Sequence, residues 1–166
     1  MKSLLDEYIR QTHRSLDLIL IGGPALQGYG VHDRGTVEVD GELAGELEPL
    51  LEFSLFPSGA GRSWRKHFRL VSGGDASGYR DRTSVWHEDG ILRIRLLHPV
   101  DFVIAKLRPG TEQDLDDAQE VAARFHVTPS EIQTAANSAV DASPKDSALF
   151  TFRKTVDIFC RRIGGA

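Results

Sequence analysis

The chain has 166 residues, 40% of them hydrophobic and 27% charged, which is enough for one globular domain with a buried core. One cysteine excludes an internal disulfide framework, and no apolar run has the length of a membrane span or the flanks of a signal peptide, so a cytoplasmic protein with no membrane partner is expected. A net charge of −4 excludes global attraction to nucleic acid and leaves that role to local basic patches.

Leu4, Leu5, Tyr8 and Ile9 recur at helical spacing, which predicts an amphipathic helix over residues 2–14. Leu16, Leu18, Ile19, Leu20 and Ile21 then form a short apolar run of the kind found in strands buried on both faces. Gly22-Gly23 ends the run and Pro24 suits the start of a helix. A double glycine at such a junction lets backbone amides approach an anion closely.

In Arg34-Gly35-Thr36-Val37-Glu38-Val39-Asp40 the valines alternate with polar residues. A strand is expected, with Glu38 and Asp40 projecting from one face. Adjacent carboxylates repel unless a cation lies between them, and such oxygen donors suit Mg²⁺, which prefers a few carboxylates plus substrate phosphates. A solvated polar strand face gives the same pattern. Between Gly41 and Pro57 the spacing of Leu43, Leu47, Leu50 and Leu51 predicts a helix, with a strand around Leu51, Phe53 and Leu55 as the rival.

Arg62 to Arg69 is the one strongly basic cluster. Trp64, Phe68 and Leu70 fit one face of a strand, leaving Arg65, His67 and Arg69 on the other. That face suits a phosphate or nucleic-acid surface, or else a charged edge strand protected against pairing. Further on, Asp89-Gly90 between two β-rich runs predicts a hairpin, its second strand, Ile91 to Leu97, well inside the sheet.

His98-Pro99 opens a helix that Pro109-Gly110 closes, with Val100, Val103, Ile104 and Leu107 facing the core. Thr111 begins the next. On its wheel Asp114 falls inside the apolar arc of Ala118, Val121, Ala122 and Phe125, Asp117 at the edge of that arc, and Asp116 on the far side. A carboxylate on a buried face needs a partner, and Lys106 or Arg108 is the expected one; a partial capping box with Thr111 is the alternative. Thr128-Pro129-Ser130-Glu131 is a clear helix start. The last helix, opened by Ser143-Pro144, carries Leu149, Phe152, Val156, Phe159 and Ile163, beside which Cys160 is a packing residue.

Taken together, Gly22-Gly23 with Ala25-Leu26, then Arg34-Gly35-Thr36 with Glu38-Val39-Asp40, then Lys106-Leu107 and Asp114-Leu115-Asp116-Asp117-Ala118, resemble in order the signature of the nucleotidyltransferase superfamily with the DNA polymerase β fold. Within it they are similar to the small bacterial branch that includes AbiEii-like abortive-infection toxins. The resemblance covers roughly residues 16 to 125. It implies an α+β domain over residues 1–166: a small mixed sheet with helices packed on it in residues 1–97, and a helical half in 98–166. It implies transfer of a nucleoside monophosphate from a nucleoside triphosphate to a hydroxyl acceptor such as an RNA or a protein. Mg²⁺ would lie on Glu38 and Asp40, with Lys106 and Asp114 completing the catalytic set and Gly22, Gly23, Arg34, Thr36 and Lys106 on the phosphates. Glu38 stands where Asp is usual, and a third carboxylate expected on a neighbouring strand has no obvious candidate, because Asp75, Asp81, Glu88 and Asp89 all fall in loops or turns. The alternatives are a catalytically degenerate member that binds a nucleotide or a partner, as in a toxin-antitoxin-like pair, and a nucleic-acid interaction domain using residues 62–69.

Overall fold

The computed structural model describes residues 15–31, 39–43, 64–65, 78–143 and 147–165, with the backbone alone for 39–43 and 64–65. The helix expected over 2–14, the segment carrying Arg34, Thr36 and Glu38, and the stretches 44–57 and 66–77 lie outside these residues. The described fold is α+β. Its five strands are β1 (Leu16–Leu20), β2 (Val39–Leu43), β3 (Trp64–Arg65), β4 (Ser84–Glu88) and β5 (Leu92–Leu96). The helices are α1 (Gly23–Gly28), α2 (Pro99–Leu107), α3 (Glu112–Arg124), α4 (Pro129–Asp141) and α5 (Ser147–Gly164), with one 3-10 turn at Tyr79–Arg82. The chain divides into two compact units: residues Met1–Phe68 with Thr83–Leu96, and Arg69–Arg82 with Leu97–Ala166.

The first unit holds a mixed sheet ordered β3-β2-β1-β5-β4. β1 lies at its centre, parallel to β5 and antiparallel to β2, so Leu16, Leu18 and Leu20 register with Leu92, Ile94 and Leu96 and all six are buried. Ile19 and Ile21 are buried as well, so both faces of the strand are covered, which explains the nearly unbroken apolar run. β2 runs on through Gly41 to Leu43, where helix was expected. Ladder hydrogen bonds to β1 override the helical spacing that begins at Leu43. The β4–β5 hairpin turns at Gly90, whose φ of 77° accounts for the glycine there. α1 packs against β5 closely enough that a Cβ on Gly28 would lie 2.6 Å from a methyl of Leu96, so a larger residue there would require the Leu96 side chain to move.

In the second unit α2 is the buried element: Phe102, Val103, Ile104, Ala105 and Leu107 are all inside, against α3, α4 and α5. Both threonine starts form complete capping boxes. The Thr111 hydroxyl accepts from the Asp114 amide while the Asp114 carboxylate accepts from the Thr111 amide, and Thr128 and Glu131 repeat the exchange. Ile132, Ala136, Ala139 and Val140 of α4 and Phe152, Val156 and Phe159 of α5 supply the rest of the core. The Cys160 thiol lies 3.7 Å from the Pro129 carbonyl, and burial followed by the nearby Asp157 charge pushes its pKa up, as befits a packing residue. Among the described residues no helix is long and apolar enough to cross a membrane.

Candidate functional site

β1 ends where its apolar run ends. Ile21 and Gly22 are buried, Gly23 begins α1, and the Gly22 carbonyl accepts from the Ala25 amide at 3.0 Å. β2 comes back alongside with Leu20 opposite Gly41, so Asp40 stands one residue further along, level with the passage of β1 into Ile21 and Gly22. β3 adds parallel to β2 with Val39 opposite Trp64 and Asp40 opposite Arg65. The glycine turn, Asp40 and Arg65 therefore occupy the same end of three adjacent strands. Glu38, Arg34 and Thr36 lie outside the described residues, so of the expected metal-binding carboxylate pair only Asp40 is placed, by its backbone.

Elsewhere in the sheet the arginines of β5 are committed to carboxylates. Arg95 donates through Nε to Asp17 Oδ1 at 2.8 Å and through Nη1 to Thr83 Oγ1 at 3.0 Å, and Arg93 donates to Glu88 at 2.8 Å. The first pair follows from the register, because β1 sets Asp17 and Ile19 opposite Arg93 and Arg95 on one face. Of the acids considered for a third catalytic carboxylate, Glu88 is the last residue of strand β4 and not in a turn as expected, because it pairs in the ladder opposite Arg93, which also holds its carboxylate; Asp89 is 3.1 Å from His87 Nε2. Asp81 lies in the 3-10 turn, and Asp75 is outside the described residues.

In the helical unit Lys106 and Asp114 are brought together. Lys106 Nζ meets Asp114 Oδ1 at 3.0 Å and Asp117 Oδ2 at 2.9 Å, 5.9 Å from the centre of the Phe102 ring. The expected pairing of Asp114 with Lys106 is present together with the capping box, one carboxylate serving both. Asp117, expected at the edge of the apolar arc, is the deeper acid: its side chain is 3% exposed against 16% for Asp114. Burial alone would lower the pKa of Lys106, but its hydrogen bonds with Asp117 and Asp114 outweigh it and hold the ammonium above the ordinary lysine value. Arg108 turns instead to Ser143, and the far-side Asp116 pairs with Arg162 on α5.

One arrangement in this unit carried little sequence signal. Arg82, at the end of the 3-10 turn, grips Asp101 with Nε at 3.0 Å and Nη2 at 2.7 Å, and the Asp101 side chain is only 8% exposed. The fork hydrogen bond to Asp101, against a smaller desolvation, raises the pKa of Arg82. Asp101 stands three residues after His98, where an acid is ordinarily taken for a capping residue; its partner lies 19 residues away in sequence. The pair borders a cleft of about 370 Å³ between α2 and α4, lined also by His98, Ile104, Thr134 and Ser138. Thr134 and Ser138 donate back to the carbonyls of Ser130 and Thr134.

Among the described residues no three His, Cys, Asp or Glu side chains form a metal cluster. Comparison with protein-family models, with curated proteins and with solved structures gave no match to the chain.

Proposed function

We propose that the chain is a Mg²⁺-dependent nucleotidyltransferase that passes a nucleoside monophosphate from a nucleoside triphosphate to a hydroxyl acceptor. One observation carries this reading: the β1–β2 register that sets Asp40 one step past the Leu20–Gly41 pair, level with Ile21 just before the Gly22-Gly23 turn, so that Asp40 and a turn separated from it by 16 residues of sequence lie at one end of the sheet. In this reading Gly22 and Gly23 admit the triphosphate, having no side chains to exclude it. Glu38 and Asp40 hold Mg²⁺, which when bound neutralises charge on the leaving pyrophosphate. Arg34 and Thr36, just before the acidic strand, take the phosphates. The acceptor, an RNA or a protein, supplies the hydroxyl.

A second reading, a nucleotide-binding member without turnover, draws on Lys106. The resemblance gives this lysine to phosphates, yet two of its three N–H groups already face carboxylates at 3.0 and 2.9 Å. A phosphate would have to displace them. Incubating the protein with each of the four nucleoside triphosphates, Mg²⁺ and candidate acceptors decides between the readings. Pyrophosphate release supports transfer, Mg²⁺-dependent binding without release supports the degenerate member, and no binding at all refutes both.

A further inference from the structure

We propose that the cleft between α2 and α4 binds a small aliphatic primary amine, its ammonium held at the Glu131 end and its hydrocarbon body lying along the cleft floor; the proposal does not rest on the nucleotidyl-transfer reading. The two helices run side by side in the same direction. At one end the charge of His98, which caps α2, acts on Glu131 in the first turn of α4. At the other, Arg108, just after α2, donates to Ser143, just after α4, at 3.3 Å. The cleft between them, about 370 Å³, falls within the roughly 300–1,000 Å³ typical of small-molecule sites. Its floor is apolar, with Ile104 and Ala139 buried and Val100 and Ala135 half-buried.

The α4 wall offers acceptors. Glu131 uses one oxygen, Oε2, for the Thr128 amide and hydroxyl at 2.8 and 2.7 Å, and among the described residues nothing donates to the other. Those bonds, the amide first, hold its pKa below the ordinary glutamate value, so it is charged. Thr134, one turn on, gives its hydroxyl proton to the Ser130 carbonyl at 2.9 Å and so presents oxygen lone pairs to the cleft. Two acceptors at i and i+3 of one helix face, one of them charged, suit the three donors of an ammonium. The cations opposite do not cancel this. Arg82 spends its fork on Asp101 at 3.0 and 2.7 Å, which leaves that pair without net charge. His98 Nδ1 accepts from the Val100 amide at 3.4 Å, a role open only to an unprotonated nitrogen. The alternative is an anion held by Arg82 and His98, which Glu131 would repel.

The test titrates n-pentylamine into the whole isotope-labelled chain at constant ionic strength and follows the backbone amide shifts by NMR. Pentanol, pentanoate and pentyltrimethylammonium, which share the hydrocarbon body and differ in the head group, are titrated beside it. Pentylamine is expected to bind saturably in the millimolar range and to move the amides of Glu131, Thr134 and Ile104, and each of the others to bind at least about threefold more weakly. Glu131→Gln keeps the capping box and removes the charge, so it should weaken pentylamine about threefold and leave pentanol unchanged. Thr134→Val, with the same shape and no hydroxyl, should weaken pentylamine about twofold, and Asp157→Asn, an acid deleted on α5, should change nothing. Should Thr134→Val fail to fold, Thr134→Ala decides in its place. Pentanoate bound as tightly as pentylamine would make the cleft an anion site. Equal binding of pentanol would leave only the apolar floor, and equal binding of pentyltrimethylammonium would remove the hydrogen-bonded head group. Each of these overturns the proposal, as would unchanged pentylamine affinity in a folded Glu131→Gln variant or the absence of saturable shifts with pentylamine.

Discussion

Asp117 meets Lys106 at 2.9 Å from a position where its own side chain is 3% exposed, and this contact, with Asp114 on the other side, ties α2 to α3. Removing one member of a buried pair leaves the other charged and unsolvated, at a cost of about 3–5 kcal/mol. Lys106 is the shared member. Lys106→Met should therefore destabilise the chain by about 3 kcal/mol or more, and Asp114→Ala, which leaves Lys106 with Asp117, by less. Urea midpoints for the two variants test the order. Equal small losses would mean that solvent already screens the cluster.

The same cluster fixes the sign of a pH dependence. Burial opposes the charge of Lys106, but hydrogen bonds with Asp117 and Asp114 prevail, so its folded pKa lies above the unfolded one. A raised lysine contributes stability that is fully present below the unfolded value, about 10.4, and is lost as pH rises through the folded value. The difference in stability between the native chain and Lys106→Met should hold constant near neutrality and narrow in strong alkali. A difference that widened there would contradict the assignment.

Arg82 and Asp101 are unequal partners. Arg82 keeps 46% of its side-chain exposure and Asp101 only 8%. Deleting the aspartate returns the guanidinium largely to water, whereas deleting the arginine strands a buried carboxylate. Arg82→Ala is expected to lower stability more than Asp101→Ala, by about 1–2 kcal/mol, and a double-mutant cycle should give a coupling of at least about 1 kcal/mol. The reverse order of the single variants would show that the pair is not buried on the Asp101 side.

What the sequence made legible follows from how local the signals were. The threonine caps at Thr111 and Thr128, the Asp89-Gly90 hairpin and the His98-Pro99 start each act within four residues, and each stands as expected. The buried strand β1 announced itself because both its faces are covered. The extension of β2 through Leu43 was not legible, since it is imposed by pairing with Leu18 to Leu20 and not by the residues themselves. For the same reason the helical wheel found Asp114 and misjudged the depth of Asp117: it measures direction around one helix, while depth depends on α2 packing against it. At the candidate site, the glycine turn and the acidic strand were visible as motifs. That Arg65 shares a register with Asp40 is a fact of topology, and alternation within residues 62–69 could not supply it.

His126 follows α3 with φ at 54°, the left-handed conformation that ends many helices and that glycine adopts without penalty. Its amide and that of Val127 close the helix on the carbonyls of Ala123 and Ala122. A side chain there costs about 1–2 kcal/mol relative to glycine, partly offset by the greater chain entropy of glycine when unfolded. His126→Gly should raise the thermal midpoint by about 2–4 °C and His126→Ala should not. Calorimetry on both settles the matter, and a gain common to both would point to the imidazole and not to the backbone.

Asp40→Asn bears on the site most directly. Charge pairs at strand positions, like or opposite, are each worth about 1 kcal/mol or less, which bounds what Asp40 contributes through Glu38, two residues before it in sequence, and Arg65, its register partner. Neutralising Asp40 removes at most these contributions. The midpoint of the ligand-free chain should consequently move little, by no more than about 2–4 °C. With Mg²⁺ and a nucleoside triphosphate present, the outcome differs if the carboxylate holds the metal. A ligand at a hundred times its dissociation constant stabilises the folded chain by about 2.7 kcal/mol, and that shift should be seen in the native chain and largely vanish in Asp40→Asn. Without Mg²⁺ the two chains should respond alike. A purely structural role predicts the opposite pattern, in which the variant starts at a lower midpoint and gains as much from Mg²⁺ and triphosphate as the native chain. That result would remove Asp40 from the metal site and, with it, the main support for nucleotidyl transfer.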